Sequence, residues 1–186
     1  MIIAFDYSLS CPCMCVSTKP GWENARFWYL TTVKKQIGVF FDGQIQGDLH
    51  KEYTNDQQRY EDISQHFMVT LSFITTPQIP VFIEDYSFGS TGRVFGLAEN
   101  TGLMKYKLWR RGHDIEAIPP TVIKKYASGK GNADKQGMYD AFVKQTGVNL
   151  VASLTPDKKL GSPVTDIVDA HFIAEYGHDL IKKVGI

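Results

Sequence analysis

The chain has 186 residues, 43% of them hydrophobic, a size and composition that suit one domain with a complete apolar core. Its 20 Lys+Arg balance 20 Asp+Glu, so bulk charge does not mark a nucleic-acid binder, and no run approaches the roughly 18 apolar residues of a membrane span. Strand-like residues begin at Ile2, which leaves no room for a signal or transit peptide, and the expectation is a protein that stays in a bacterial-type cytoplasm.

Ile2-Ile3-Ala4-Phe5-Asp6 predicts a short buried strand ending in an acid. Tyr7 to Ser10 form a turn, Pro12 to Thr18 a second strand and Ala25 to Val33 a third, so the chain opens with a three-stranded meander. An acid at a strand end is costly unless solvated, paired or metal-bound, which makes Asp6 a first candidate. All three cysteines fall in Cys11-Pro12-Cys13-Met14-Cys15. That alternation puts them on one strand face, no distant Cys or close His pair completes a zinc set, and they read as small, reduced, buried residues. Residues 34–54, with Gly38, Gly43 and Gly47, carry no pattern beyond loops or a weak hairpin.

From about Asn55 to Thr75, Tyr60, Ile63, Phe67, Leu71 and Ile74 recur at three and four, the stripe of one helix, which Pro77 and Pro80 end. Val81-Phe82-Ile83-Glu84-Asp85 repeats the pattern at Asp6, an apolar run terminated by acids. Open α/β sheets place their chemistry at such C-terminal strand ends. Tyr86 to Gly92 is a loop with two aromatics, and a helix follows from about Arg93 to Arg111, where Gly96, Asn100 and Gly102 predict close packing rather than high propensity. Asp114 to Ile118 is a further strand and Thr121 to Tyr126 a short helix. Gly129 to Lys135 is a glycine-rich basic turn opening a helix to about Gln145; residues 146–162 read as loop, and the last helix runs from about Pro163 to Lys183.

Asp166 and Asp169 fall at i and i+3 in that last helix, hence on one face, with Cβ atoms roughly 5–6 Å apart. Two acids there either complement the helix dipole or, with further carboxylates, hold a cation. From Lys105 to Lys135 eight basic residues (Lys105, Lys107, Arg110, Arg111, Lys124, Lys125, Lys130, Lys135) stand against three acidic ones. A basic sector beside a separate acid cluster suits a metal-dependent enzyme acting on a polyanion, and equally suits a solvated helix face.

The element order resembles the ribonuclease H-like fold, an α/β architecture with a mixed five-stranded sheet flanked by helices. In that fold Asp6 and Glu84 end neighbouring strands, and the last helix brings Asp166 and Asp169 to them. Four carboxylates supply oxygen ligands for two hard cations, typically Mg²⁺, which between them can activate a water and stabilise the leaving oxygen of a phosphodiester.

The chain resembles the RuvC family of Holliday junction resolvases, particularly compact phage-encoded versions. The resemblance rests on Ile-Ala-Phe-Asp6-Tyr-Ser-Leu-Ser, Val-Phe-Ile-Glu84, Gly-Leu-Ala-Glu-Asn-Thr-Gly at 96–102, Pro-Pro-Thr-Val-Ile-Lys124-Lys125, Gly129-x-Gly131-x-Ala133-Asp134-Lys135 and Asp166-x-x-Asp169-Ala170. It implies that Asp6, Glu84, Asp166 and Asp169 are catalytic ligands of two Mg²⁺ ions, with Mn²⁺ able to substitute. Lys124 and Lys135 match family lysines near the scissile phosphate. Lys125, Lys130, Arg110 and Arg111 are candidates for gripping DNA, and either Tyr86 or Phe88 matches an aromatic that stacks on unpaired bases. His171 either assists the site or is a partly buried histidine.

The resemblance also implies a homodimer acting on four-way junctions by paired nicks that leave 5′-phosphate and 3′-hydroxyl ends, in the cytoplasm of a bacterial host if phage-encoded. The Cys-rich second strand departs from the family's usual Gly/Thr pattern. Two other readings share the fold: a relaxed nuclease of flaps, forks and replication branches, and a non-catalytic junction binder, which would lack some of the acids. An ATPase of the actin and sugar-kinase type would need a second lobe and paired phosphate loops for which this chain is too short.

Overall fold

The computed structural model describes residues 1–74, 78–85, 94–155 and 157–184. The expected meander is present as β1 (Ile2–Asp6), β2 (Cys13–Ser17) and β3 (Ala25–Thr31), each antiparallel to the next. Two short strands follow, β4 (Gly38–Phe40) and β5 (Ile45–Leu49), then helix α1 (Asp56–Ile74), β6 (Val81–Glu84), α2 (Val94–Arg110) and β7 (Ile115–Ile118). The chain continues through α3 (Pro120–Ser128), α4 (Lys135–Thr146), the five-residue α5 (Leu150–Leu154) and α6 (Val164–Val184).

The sheet has seven strands in the order β4-β5-β3-β2-β1-β6-β7, not the five expected. The added pair comes from the stretch that gave no periodicity. β5 runs parallel to β3 and β4 closes antiparallel on β5. A Cβ at Gly47 would strike the Tyr29 ring, so β5 can lie beside β3 only with glycine there, and the residue that looked like a loop marker is a packing requirement. The five-residue α5 also falls where loop was expected, capped by Asn149, whose Oδ1 accepts from the Ala152 amide at 3.1 Å.

Strand alternation sorts the core onto two faces. Ile2, Ala4, Cys13, Cys15, Phe27 and Phe82 face α3, α4, α5 and α6; Ile3, Phe5, Met14, Leu30 and Ile83 face α1 and α2. The α1 stripe of Tyr60, Ile63, Phe67 and Leu71 is buried as its spacing predicted, and each side chain so buried contributes roughly 1.5–3 kcal/mol. Asn55 caps that helix, its Oδ1 accepting from the Gln58 amide at 2.8 Å. All three cysteines are buried and free, as expected, and pack on the α6 side.

Helix α6 lies closest to the sheet. A Cβ at Gly177 would come within 2.5 Å of the Phe82 ring, so the missing side chain lets the helix settle onto β6. Glu175 locks it from the side, accepting from the Gly21 amide at 2.8 Å and from Gln145 at 3.1 Å. No helix among the described residues is long and apolar enough to cross a membrane.

Candidate active site

β1 and β6 are parallel and adjacent, with Phe5 paired to Ile83, so the next residues, Asp6 and Glu84, end the two strands side by side. Both share the parity of Ala4 and Phe82 and therefore face α6. That helix begins at the same end of the sheet, and its first two turns carry Asp166 and Asp169. Asp6 and Asp166 are each only 8% exposed. Four acids from three elements thus converge on one corner.

Their electrostatics record the convergence. Burial, followed by the charges of Asp166, Glu84 and Asp169, pushes Asp6 well above the usual carboxylate range, with Lys135 opposing. Burial lifts Glu84 to about 7; Lys124 pulls it back and Asp166 adds to the rise. Asp169 also rises to about 7 through burial, then Glu84 and Asp166, against Lys124 and Lys135. Asp166 is raised by burial and moderated by hydrogen bonds from Ser162 and from its own backbone amide, by Lys135 and by Thr165, whose Oγ1 lies 3.3 Å away.

Among the described residues none of the four acids makes an ion pair within 4.0 Å, so no arginine or lysine is clamped onto the cluster. Nor do any three His, Cys, Asp or Glu side chains among them already stand close enough to enclose an ion. The acids are an open group of neighbours rather than a finished ligand cage.

The lysines divide in two. Lys124, on α3, bears on Glu84 and Asp169, and Lys135, in the first turn of α4, bears on Asp6, Asp166 and Asp169. Local sequence explains both positions. Pro120 opens α3 just past the end of β7, and Gly129 ends it in the left-handed region at φ 79°. Asp134 then caps α4 by accepting from the Gly137 amide at 2.8 Å, which fixes Lys135 as its first residue.

No protein-family model and no curated protein matches this sequence. Solved structures do. The structure of Thermus thermophilus RuvC matches over 99% of this chain and 97% of its own, with a TM-score of 0.59 at 12% identity. T. thermophilus RuvC in complex with a Holliday junction substrate matches over 96% of each chain, with a TM-score of 0.61 at 13% identity. The fold is that of RuvC.

On the RuvC fold the remaining candidates sort by place. Lys125 on α3 and Lys130 in the turn after it are exposed near the two site lysines. Arg110 and Arg111 lie elsewhere, at the end of α2 that leads into the start of β7, the end of the strands opposite the acids. Arg110 sits over the Tyr106 ring at 6.0 Å, and Arg111 donates to the Met68 carbonyl at 2.8 Å, joining α2 to α1. Tyr86 and Phe88 lie outside the described residues. His171 is 1% exposed and turned away from the acids into the rings of Trp22, Phe27, Phe142 and Phe172; burial alone lowers it to about 4, and neither ring nitrogen has a protein partner.

Three further residues shape the site without having been legible. The Cys11 thiol, raised first by burial and then by the charges of Asp166 and Asp6, hydrogen-bonds to Asp166. Ser162 bonds to the same carboxylate. Buried Gln36 donates to the Ser162 carbonyl at 2.9 Å while accepting from Thr31 Oγ1 at 2.7 Å, so the β3–β4 connection holds the approach to α6. The partners are 126 residues apart, and no local pattern links them.

Proposed function

We propose that the chain is a metal-dependent, structure-selective endodeoxyribonuclease that resolves four-way DNA junctions by paired symmetric nicks. The observation that carries the reading is the meeting of Asp6, Glu84, Asp166 and Asp169 at one corner of a RuvC fold, flanked by Lys124 and Lys135 and, among the described residues, by no ion-pairing cation. The neighbour solved with a Holliday junction gives the substrate class by analogy.

The donor set fits hard divalent cations. All four groups are carboxylates, the oxygen ligands that Mg²⁺ and Mn²⁺ take, and their mutual repulsion leaves them short of positive charge. When bound, such ions supply an activated water and charge stabilisation for the leaving oxygen. The chain's own residues do the rest. Asp6 and Glu84 are fixed by strand ends that cannot shift without breaking the central pairing, and Asp166 is aimed by Ser162 and Thr165. Lys124 and Lys135 hold ammonium groups where charge develops on the phosphate, and Lys125 and Lys130 grip neighbouring phosphates. Two-fold symmetric nicking of a four-way junction calls for two copies of the site, hence a homodimer.

Duplex, flap, fork and four-way substrates compared at equal salt with Mg²⁺, Mn²⁺ and Ca²⁺ test the reading. Selective nicking of the four-way substrate supports it; equal cutting of flaps and forks replaces it with a general branch nuclease. Asp6→Asn or Asp166→Asn is expected to abolish cutting and leave junction binding largely intact by mobility shift. A variant that cuts at the parental rate overturns the assignment.

A further inference from the structure

The turn between β3 and β4 carries two lysines to the acid end of the sheet, on the flank away from α3 and α4. β3 is antiparallel to β2 and β2 to β1, so β3 points the same way as β1, and Tyr29, Cys13 and Asp6 stand level across the three strands. Thr31 therefore ends β3 on the side where the acids lie, two strand spacings or about 10 Å from β1. A 3₁₀ turn, Lys34–Gln36, follows. Buried Gln36 fixes it from within: besides its bonds to Ser162 and Thr31, its carbonyl accepts from the Tyr29 hydroxyl, and the Val33 amide donates to Thr31 Oγ1 at 3.1 Å. Lys34 and Lys35 are left exposed on this pinned backbone, and among the described residues neither makes an ion pair. Lys51, past the end of β5, differs, because Asp62 lies 3.4 Å from its ammonium.

The opposite flank is built alike. β7 is also two spacings from β1, its Ile118 stands level with Glu84, and it leads at the same end into α3 with Lys124 and Lys125, then to Lys130. The acids thus lie between two lysine groups, each carried past the end of a strand about 10 Å from β1. We infer that Lys34 and Lys35 form a second contact for the DNA backbone, across the acids from Lys125 and Lys130, so that a bound strand crosses the end of the sheet and is gripped on both sides of the cutting corner. At about 3.4 Å per phosphate along one strand, about 10 Å sets this contact roughly three nucleotides from the acids. Ammonium groups are point charges that answer to phosphate rather than to base identity, which suits an enzyme selecting shape. The contact belongs to the stretch that adds β4 and β5 to the sheet.

This surface deepens the junction-nuclease reading and rests on it for its ligand, but its test needs no cleavage. Binding of the full chain to a fluorescent four-way junction is followed by anisotropy in Ca²⁺ over a salt series. Lys34→Ala combined with Lys35→Ala is expected to lower the slope of log affinity against log salt by about two, and the paired arginine substitutions to keep it at the parental value. Because the three native thiols are buried, Lys35→Cys and Lys130→Cys each provide one exposed thiol for a photo-crosslinker. The two are expected to label one DNA strand at positions about six nucleotides apart, the span of both flanks. An unchanged salt slope, no label from Lys35→Cys, or labels that coincide overturns the inference. A chain that nicks four-way junctions while giving any of those results loses this surface alone; one that gives the expected slope and labels yet nicks nothing loses the nuclease reading alone.

Discussion

The two faces of the sheet carry helices of opposite character. On one, α6 buries twelve of its 21 residues, Asp166, His171 and Glu175 among them. On the other, α2 buries only Asn100, Thr101, Met104 and Leu108 of its 17 and leaves three aromatics in water. Ionisable groups lie where solvent is excluded and charges act on one another strongly, whereas rings that could have filled a core stand exposed, uncovered by any of the described residues.

The largest effect should separate lysines that act on the buried acids from those that only border them. Lys124→Ala or Lys135→Ala is expected to lower the single-turnover nicking rate by about 10²–10³-fold with junction affinity little changed. Lys125→Ala or Lys130→Ala should leave that rate alone, weaken binding and reduce its salt slope by about one. A titration of binding against salt beside a rate measurement distinguishes the two pairs.

Next come the glycines. Gly177→Ala drives a methyl into the Phe82 ring and is expected to cost about 1–3 kcal/mol in denaturant unfolding, because a helix lying flat on a sheet has no slack. Gly102→Ala, in open space on the other face, should instead gain up to about 1 kcal/mol of helix stability when measured at concentrations too low for self-association.

Acidity provides a third test, drawn from groups on the α6 face. Glu84 and Asp169 keep their protons up to about pH 7 in the metal-free fold, but release them near pH 4 in the unfolded chain. Between those limits the native state binds more protons, so these groups make stability fall as pH rises from about 4 to about 7. Mg²⁺ should therefore raise the melting temperature more at alkaline than at mildly acidic pH, where protons compete for the same oxygens. His171 runs the other way. Neutral in the fold down to about 4 but protonated near 6.5 when unfolded, it contributes stability that is gained as pH rises between those values. His171→Phe, which fills the same aromatic cage without unpartnered nitrogens, is expected to add about 1 kcal/mol near neutrality and to remove that acid-side loss.

What the sequence made legible divides along the same lines. Asp6 and Glu84 stood out because an apolar run that stops at an acid is a local signature, and Asp166 with Asp169 because helical spacing puts them on one face. Lys124 and Lys135 were singled out only by their match to family lysines, and Pro120, Gly129 and Asp134 explain how the fold positions them. β4 and β5 were not, since their strandedness comes from lying against β3 and their glycines look like turns until Tyr29 is beside Gly47. The bonds from Gln36 and Cys11 toward Ser162 and Asp166 were equally hidden, being contacts between residues with no shared periodicity. Arg110 and Arg111 counted toward one basic sector in the linear sequence, but they precede β7, whose parallel run beside β6 puts them at the opposite end of the strands from Glu84.

The bond from Gln36 to the Ser162 carbonyl ties the sheet's outer margin to the segment that positions Asp166. β4 is an edge strand of three residues, the sort of element that opens long before the centre of a domain does. Each local opening there would slacken the anchor in front of Asp166 while β1, β6 and most of α6 stay folded. On gentle heating or in low denaturant, activity should therefore fade ahead of the cooperative transition, and amide exchange at residues 38–49 should keep pace with that fading rather than with global melting.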